Sequence, residues 1–332
     1  MWKIIQCAVQ GRSHLKSNIP CQDKTYSMIA NNTQVIALAD GAGSAKLSHY
    51  GADIATKFIC LELTINFDNY FSNNNGVEVK LQLVKKIIEH LKNQAQILQC
   101  DLKDLASTLL FVAIKKQQFI IAHIGDGVIG YLKDNELKVA SYPENGEFIN
   151  STTFVTSKNS ITNMKLFKGY LKQITGFVLM SDGTEMSLYN KKEQKLANIL
   201  KKIMQISTII PTNKIEYQLQ QSFENVISKA TTDDCSIIML VNTDKNFKGY
   251  LSLSHIQKCK LLNINPQSAK RTVKKYDNIL LFLLNKNTLS QVAKKIHLQK
   301  KYAQKYIDKL YKLNLIEKDG LCYHTILIMN KN

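Results

Sequence analysis

Along the first 240 residues the spacing of apolar positions changes period several times. Residues 3–9, 25–30 and 34–39 are short apolar or alternating runs bounded by Gly, Asn and Pro, which predicts strands. Helical spacing follows in residues 51–63 and 79–98, the second carrying a stripe of Leu81, Val84, Ile87, Ile88 and Leu91. Strand-like runs return at 109–114, 119–124, 127–132 and 137–140, and two buried strands are expected at 177–180 and 236–241. Residues 192–206 and 216–230 read as helices. Strand pairs, a helix pair, a meander and further helices predict an α+β fold, with helices layered outside the sheets. No sustained strand–helix–strand alternation supports a doubly wound parallel sheet.

After Val241 the text changes, and residues from Arg271 onward are helical and rich in lysine. Residues 1–243 are therefore read as one domain, 244–265 as a linker and 266–332 as a small, mainly helical domain. Composition sharpens that division. The net charge of the 332-residue chain is +18, but residues 245–332 hold 18 basic and 4 acidic side chains. The rest of the chain is close to neutral, so the basicity belongs to one module, and an anionic partner is the reading it invites. The seven cysteines stand singly, without a zinc spacing, which suits a reducing compartment. No apolar run approaches the roughly 20 residues of a membrane span, and a cytoplasmic protein is expected.

Candidate chemistry lies where strands end. Residues 35–41 (VIALADG), 120–127 (IIAHIGDG), 177–183 (FVLMSDG) and 232–238 (TDDCSII) each join an apolar strand to aspartate, and Asp23 precedes another strand. One Asp-Gly pair is ordinarily a turn. Several carboxylates meeting at strand ends repel one another unless a cation neutralises them. Oxygen ligands without His or Cys suit magnesium or manganese. Spacing alone leaves both readings open.

At these residues the chain resembles the metal-dependent protein phosphatases of the 2C type, in particular a bacterial branch. The ordered pieces are Gly11-Arg-Ser-His14, Pro20-Cys-Gln22-Asp23, ADGAGSAKLSHYGA, AHIGDG, ENGEFINSTTF, LMSDGTE and TTDDCS. The resemblance implies an antiparallel β-sandwich flanked by helices, with two magnesium or manganese ions in a cleft at one end. It implies hydrolysis of phosphoserine or phosphothreonine by a metal-bridged water, on a phosphoprotein such as a partner kinase or its target. Asp40 would bridge the metals, Gly41 would offer its carbonyl, Asp182 and Asp234 would be ligands, and Asp23 would hold the metal-bound water. Asp126 with Asp182 would form a third, weaker metal site. Gln22 stands where many relatives carry Glu, and Ala42 where many carry a His that can act as general acid. His14 is then the choice for phosphate contact or leaving-group protonation, with Arg12 as its neighbour. Residues 146–153 read from the residues alone as a polar loop, and the resemblance implies a flap near the cleft.

The C-terminal stretch resembles a winged helix-turn-helix module: a leading helix at 276–284, a short helix with Ser290 at its N-cap, and a second with Ala303, Ile307, Leu310 and Leu313 inward. A turn at 317–320 then joins two strands. Lys300, Lys301, Lys305, Lys309 and Lys312 would face outward, with Tyr302, Gln304 and Tyr306 as candidates for base contact. Nucleic acid, a docked protein and a solvated face remain open, as does the alternative that the chain is a nucleic-acid-binding regulator or scaffold with a weakened phosphatase domain.

Overall fold

The computed structural model describes residues 2–143, 152–243, 247–268, 270–313 and 315–327. They form two compact units: residues 2–201 with 212–241, and residues 202–211 with the described residues between 242 and 327. Most of the segment read as a flap, 146–153, lies outside the described residues.

The first unit contains two five-stranded sheets. One comprises β2 (Lys24–Ala30), β3 (Thr33–Ala39), β4 (Leu109–Lys115), β5 (Gln118–Ile124) and β8 (Lys165–Tyr170), in that order. The other has the order β1 (Trp2–Val9), β12 (Cys235–Asn242), β9 (Ile174–Met180), β6 (Val128–Lys133) and β7 (Glu136–Ser141). The ladders of β3 with β4, β4 with β5, and β9 with β12 are antiparallel. β3 is apolar almost throughout because both of its faces are covered. Ile36 and Leu38 pack with Leu110, Val112, Phe177 and Ile238 between the sheets, while Val35, Ala37 and Ala39 belong to a second core with the helices. Full burial of such side chains contributes roughly 1.5–3 kcal/mol each.

That second core is closed by helices Ser48–Ser72 and Gly76–Leu98. Asn75 caps the latter by accepting a hydrogen bond from the Glu78 N–H at 3.2 Å. Its buried stripe is Leu83, Ile87 and Leu91 with Val79, Val84 and Ala95. Leu81, expected in the stripe, is 48% exposed, because it lies about 200° around the helix from Leu83. The stretch 192–206, expected as one helix, divides. A hairpin of β10 (Tyr189–Asn190) and β11 (Lys195–Leu196) precedes helix Asn198–Ser207, and its turn needs Gln194 at φ 53°. The expected 216–230 helix is Thr212–Ser222, continued by a wider-wound turn at Phe223–Ile227.

In the second unit the stretch read as a linker carries helices Phe247–Ser252 and His255–Leu261. Helix Lys270–Phe282 follows, then β13 (Asn287–Thr288), helix Leu289–Lys295, helix Lys300–Lys312, β14 (Ile316–Asp319) and β15 (Cys322–Thr325). The three strands form a sheet in the order β13-β15-β14. Thr288, rather than Ser290, is the N-cap of the short helix, in a reciprocal pair with Gln291. Asp277 accepts hydrogen bonds from the Tyr250 hydroxyl at 2.7 Å and from Lys258 at 3.0 Å, which satisfies a lysine that is only 8% exposed. Among the described residues, no helix is long and apolar enough to cross a membrane.

Candidate metal centre

Strand polarity gathers the sequence-selected carboxylates at one end of the sandwich. β3 and β9 run into Asp40 and Asp182, while β2 and β12 start just after Asp23 and Asp234. Asp126 follows the end of β5 in the turn to β6. Oxygens of Asp40, Asp126 and Asp182 all lie within 4.8 Å of one another. The end of β3 is fixed by a two-way exchange: the Asp40 N–H donates to Thr108 Oγ1, and the Thr108 N–H donates to the Asp40 carbonyl, both at 2.8 Å. Gly41 bridges Ser107 and donates its N–H to the Gln22 carbonyl at 3.3 Å. Gly183 is required, since a Cβ there would sit 1.9 Å from the Asp234 carbonyl oxygen.

The cluster is electrostatically unfavourable as it stands. Burial raises the Asp40 carboxyl well above the usual range, and the negative charges of Asp23, Asp182 and Asp233 add to the effect. Burial likewise pushes Asp182 up to about 6, reinforced by Asp126 and Asp233. Asp23, only 2% exposed, is pushed up to about 7 mainly by burial, against the hydrogen bond that Ser181 Oγ donates to its Oδ2 at 2.7 Å. One oxygen of Asp182 and one of Asp23 are buried without any hydrogen-bond partner. Orphaned carboxylate oxygens among like charges fit a hard divalent cation, which would satisfy both defects at once.

Asp234 is arranged quite differently. Its Oδ1 accepts the Gly11 N–H at 2.6 Å and its Oδ2 accepts the Gln22 N–H at 2.5 Å. His14 Nδ1 lies 3.0 Å from Oδ1 without the alignment of a hydrogen bond. The Asp234 carboxylate thus accepts two main-chain N–H groups, one on each oxygen. Its neighbour Asp233 carries the charge felt by Asp40 and Asp182. Two adjacent aspartates were visible in the sequence. What separates them is that Asp234 faces inward at 1% exposure while Asp233 stays partly open.

The other expected residues fall on either side of this division. Arg12 donates to the carbonyls of Lys229 and Thr231 at 3.0–3.2 Å, so it fixes the start of β12 and is not turned to an anion. Thr152 Oγ1 donates to Asp126 Oδ2 at 2.5 Å, a contact the sequence did not suggest. His49 packs against Tyr50 with tilted rings, centroids 4.3 Å apart, and burial and then Lys24 lower its pKa.

Comparison with known proteins adds to this geometry. A model described as Protein phosphatase 2C matches residues 10–221. Serine/threonine-protein phosphatase 3 of Escherichia coli strain K12 is 26% identical over 171 residues, 50% of this chain and 67% of that protein. The crystal structure of serine/threonine phosphatase Stp1 from Staphylococcus aureus gives a TM-score of 0.52 at 16% identity, covering 73% of this chain and 95% of that one. A bacterial serine phosphatase structure gives 0.52 at 15% identity, with coverages of 73% and 98%. These two structural likenesses are of fold.

Proposed function

The chain belongs to the protein phosphatase 2C family of metal-dependent serine/threonine protein phosphatases, and we propose that the Asp40–Asp126–Asp182 end of its sandwich is where phosphoserine and phosphothreonine esters are hydrolysed. The observation that carries this reading is the trio of strand-end carboxylate oxygens within 4.8 Å, with one Asp182 oxygen left orphaned. Asp40 and Asp182 would hold two magnesium or manganese ions together with the Gly41 carbonyl. Asp233, whose charge reaches Asp40 and Asp182, would serve in place of Asp234, and Asp126 with Asp182 is suited to a third ion. When bound, these cations neutralise the carboxylates and supply Lewis acidity for attack of water on phosphorus.

The chain's own groups do the positioning. Asp23, fixed through Oδ2 by Ser181, keeps its buried Oδ1 free to accept a hydrogen bond from the attacking water. His14, with Nδ1 beside Asp234, keeps Nε2 for the phosphate or the leaving serine oxygen. Gln22 contributes a main-chain N–H to Asp234 and no charge to the site.

The opposing partner of such an enzyme is a protein kinase or a kinase-modified protein. The C-terminal unit, with two short-linked helices and a β13-β15-β14 sheet, is a winged helix-turn-helix-like module in this reading, and nucleic acid is its proposed partner. The test of the enzyme is manganese-dependent hydrolysis of a phosphoserine peptide. Asp40→Asn and Asp182→Asn should abolish it, and turnover that survives chelator or both substitutions would overturn the proposal.

A further inference from the structure

The phosphatase site leaves the C-terminal lysines without a role, and their placement is specific. In helix Lys300–Lys312 the inward residues are Ala303, Ile307 and Leu310, each at most 1% exposed. At about 100° per residue, the opposite face is Lys301, Lys305 and Lys312, which fall within about 40° of arc. All three are exposed. Lys309 is spent elsewhere, donating to the Asn263 carbonyl at 3.1 Å. The helix's one acid, Asp308, accepts a hydrogen bond from the Gln304 amide at 2.7 Å. The acids of the β14–β15 hairpin are also matched: Asp319 pairs with Lys286, and Glu317 lies 3.7 Å from His324.

We propose that this lysine face docks the sugar-phosphate backbone of duplex DNA. The helix, roughly 10–12 Å across with its side chains, matches a B-form major groove about 12 Å wide. From Lys301 to Lys312 the face runs about 16 Å, close to five base-pair steps. The deep, narrow major groove of A-form RNA excludes the same element. Binding is indifferent to sequence, because the groups that read bases are committed. Gln304 is tied to Asp308, and Tyr306 packs on Tyr276 with ring centroids 4.9 Å apart. Tyr302 remains, 51% exposed, with Lys305 Nζ 6.0 Å above its ring. The inference rests on the winged-helix reading of this unit and not on the phosphatase reading, which is measured separately.

The experiment is fluorescence anisotropy of labelled 20-base-pair DNA with the full-length chain at several salt concentrations. Binding should weaken with salt at a log–log slope of about −3, and scrambled sequences should bind alike. Lys301→Glu with Lys305→Glu and Lys312→Glu should weaken binding at least about 30-fold. It should also flatten the slope by 2–3, at about 0.9 for each phosphate no longer neutralised. Its hydrolysis of an aryl phosphate should be unchanged. The Lys85→Glu, Lys92→Glu control on helix Gly76–Leu98 should bind normally. If the triple Glu variant loses aryl phosphatase activity, the triple Gln variant, with a smaller expected loss of at least about tenfold, replaces it. No binding at about 50 mM salt, binding indifferent to both triple variants, or equal binding of polyglutamate or duplex RNA overturns the proposal. Equal polyglutamate binding would mark an acidic protein as the occupant.

Discussion

Asp182 and Asp234 lie at the same end of one sandwich, one just after β9 and the other just before β12, on adjacent strands. Their surroundings are opposite. Asp182 faces other carboxylates and has an oxygen with no partner, while Asp234 receives two main-chain N–H groups and neighbours a histidine. Adjacent positions can therefore serve different ends: one carboxylate stores an unmet electrostatic demand that a cation can answer, and the other spends its charge holding the chain. The first kind lowers the stability of the bare fold and the second raises it.

The sharpest test of this contrast is catalytic. Asp40→Asn or Asp182→Asn should lower manganese-dependent turnover by at least about 10²-fold, since several kcal/mol of charge stabilisation are lost. In chelator, the same variants should melt at or above the wild-type temperature, because a buried repulsion is relieved. A clear fall in their metal-free melting temperature would mean that Asp182 belongs to the structural kind.

Next in size is cation linkage. Manganese at about 100 times its Kd should stabilise the wild type by about 2.7 kcal/mol and leave Asp182→Asn nearly unmoved. Calorimetric melting with and without the ion measures both. Asp234→Asn should do the converse. It keeps an acceptor for only one of the Gly11 and Gln22 N–H groups, so it should cost about 1–3 kcal/mol of stability with or without metal. Denaturant unfolding in chelator reads that loss directly. A destabilisation that manganese fully restores would return Asp234 to the metal.

The smallest effect concerns His123, on the strand that leads to Asp126. It is buried, its Nδ1 lies 2.7 Å from Ser141 Oγ, and burial lowers its pKa to about 3, with Lys165 adding to the shift. Its depressed pKa means that the folded protein stays neutral there while the unfolded chain takes up a proton. Its contribution is therefore nil above about pH 7 and turns destabilising below about 6.5, reaching about 2 kcal/mol by pH 5. His123→Asn should remove that part of the acid slope in unfolding free energy measured from pH 7 to 5.

Much of this was legible in the residues. Short apolar runs ending in Asp-Gly gave the strands and the end of the sandwich at which to look, since β3 and β9 announce both faces by their composition. That Asp234, and not Asp233, receives the Gly11 N–H was not legible, because it depends on which carboxylate that loop reaches across more than 200 residues of chain. The helix expected at 192–206 failed for a local reason. Lys191-Lys-Glu-Gln-Lys195 is made of helix formers, yet the segment turns through a left-handed Gln194 into a hairpin that pairs Tyr189 with Leu196. β8 was missed because Lys165–Tyr170 is an edge strand with little alternation and no fully buried residue.

The Asp234 clamp also has a consequence for how the protein is made. Gly11 and Gln22 are translated more than 200 residues before their partner. Until Asp234 emerges, the segments carrying Gly11 and Gln22 lack the carboxylate that both of their N–H groups reach in the folded protein. Synthesis order thus makes this clamp one of the last contacts that the first unit acquires.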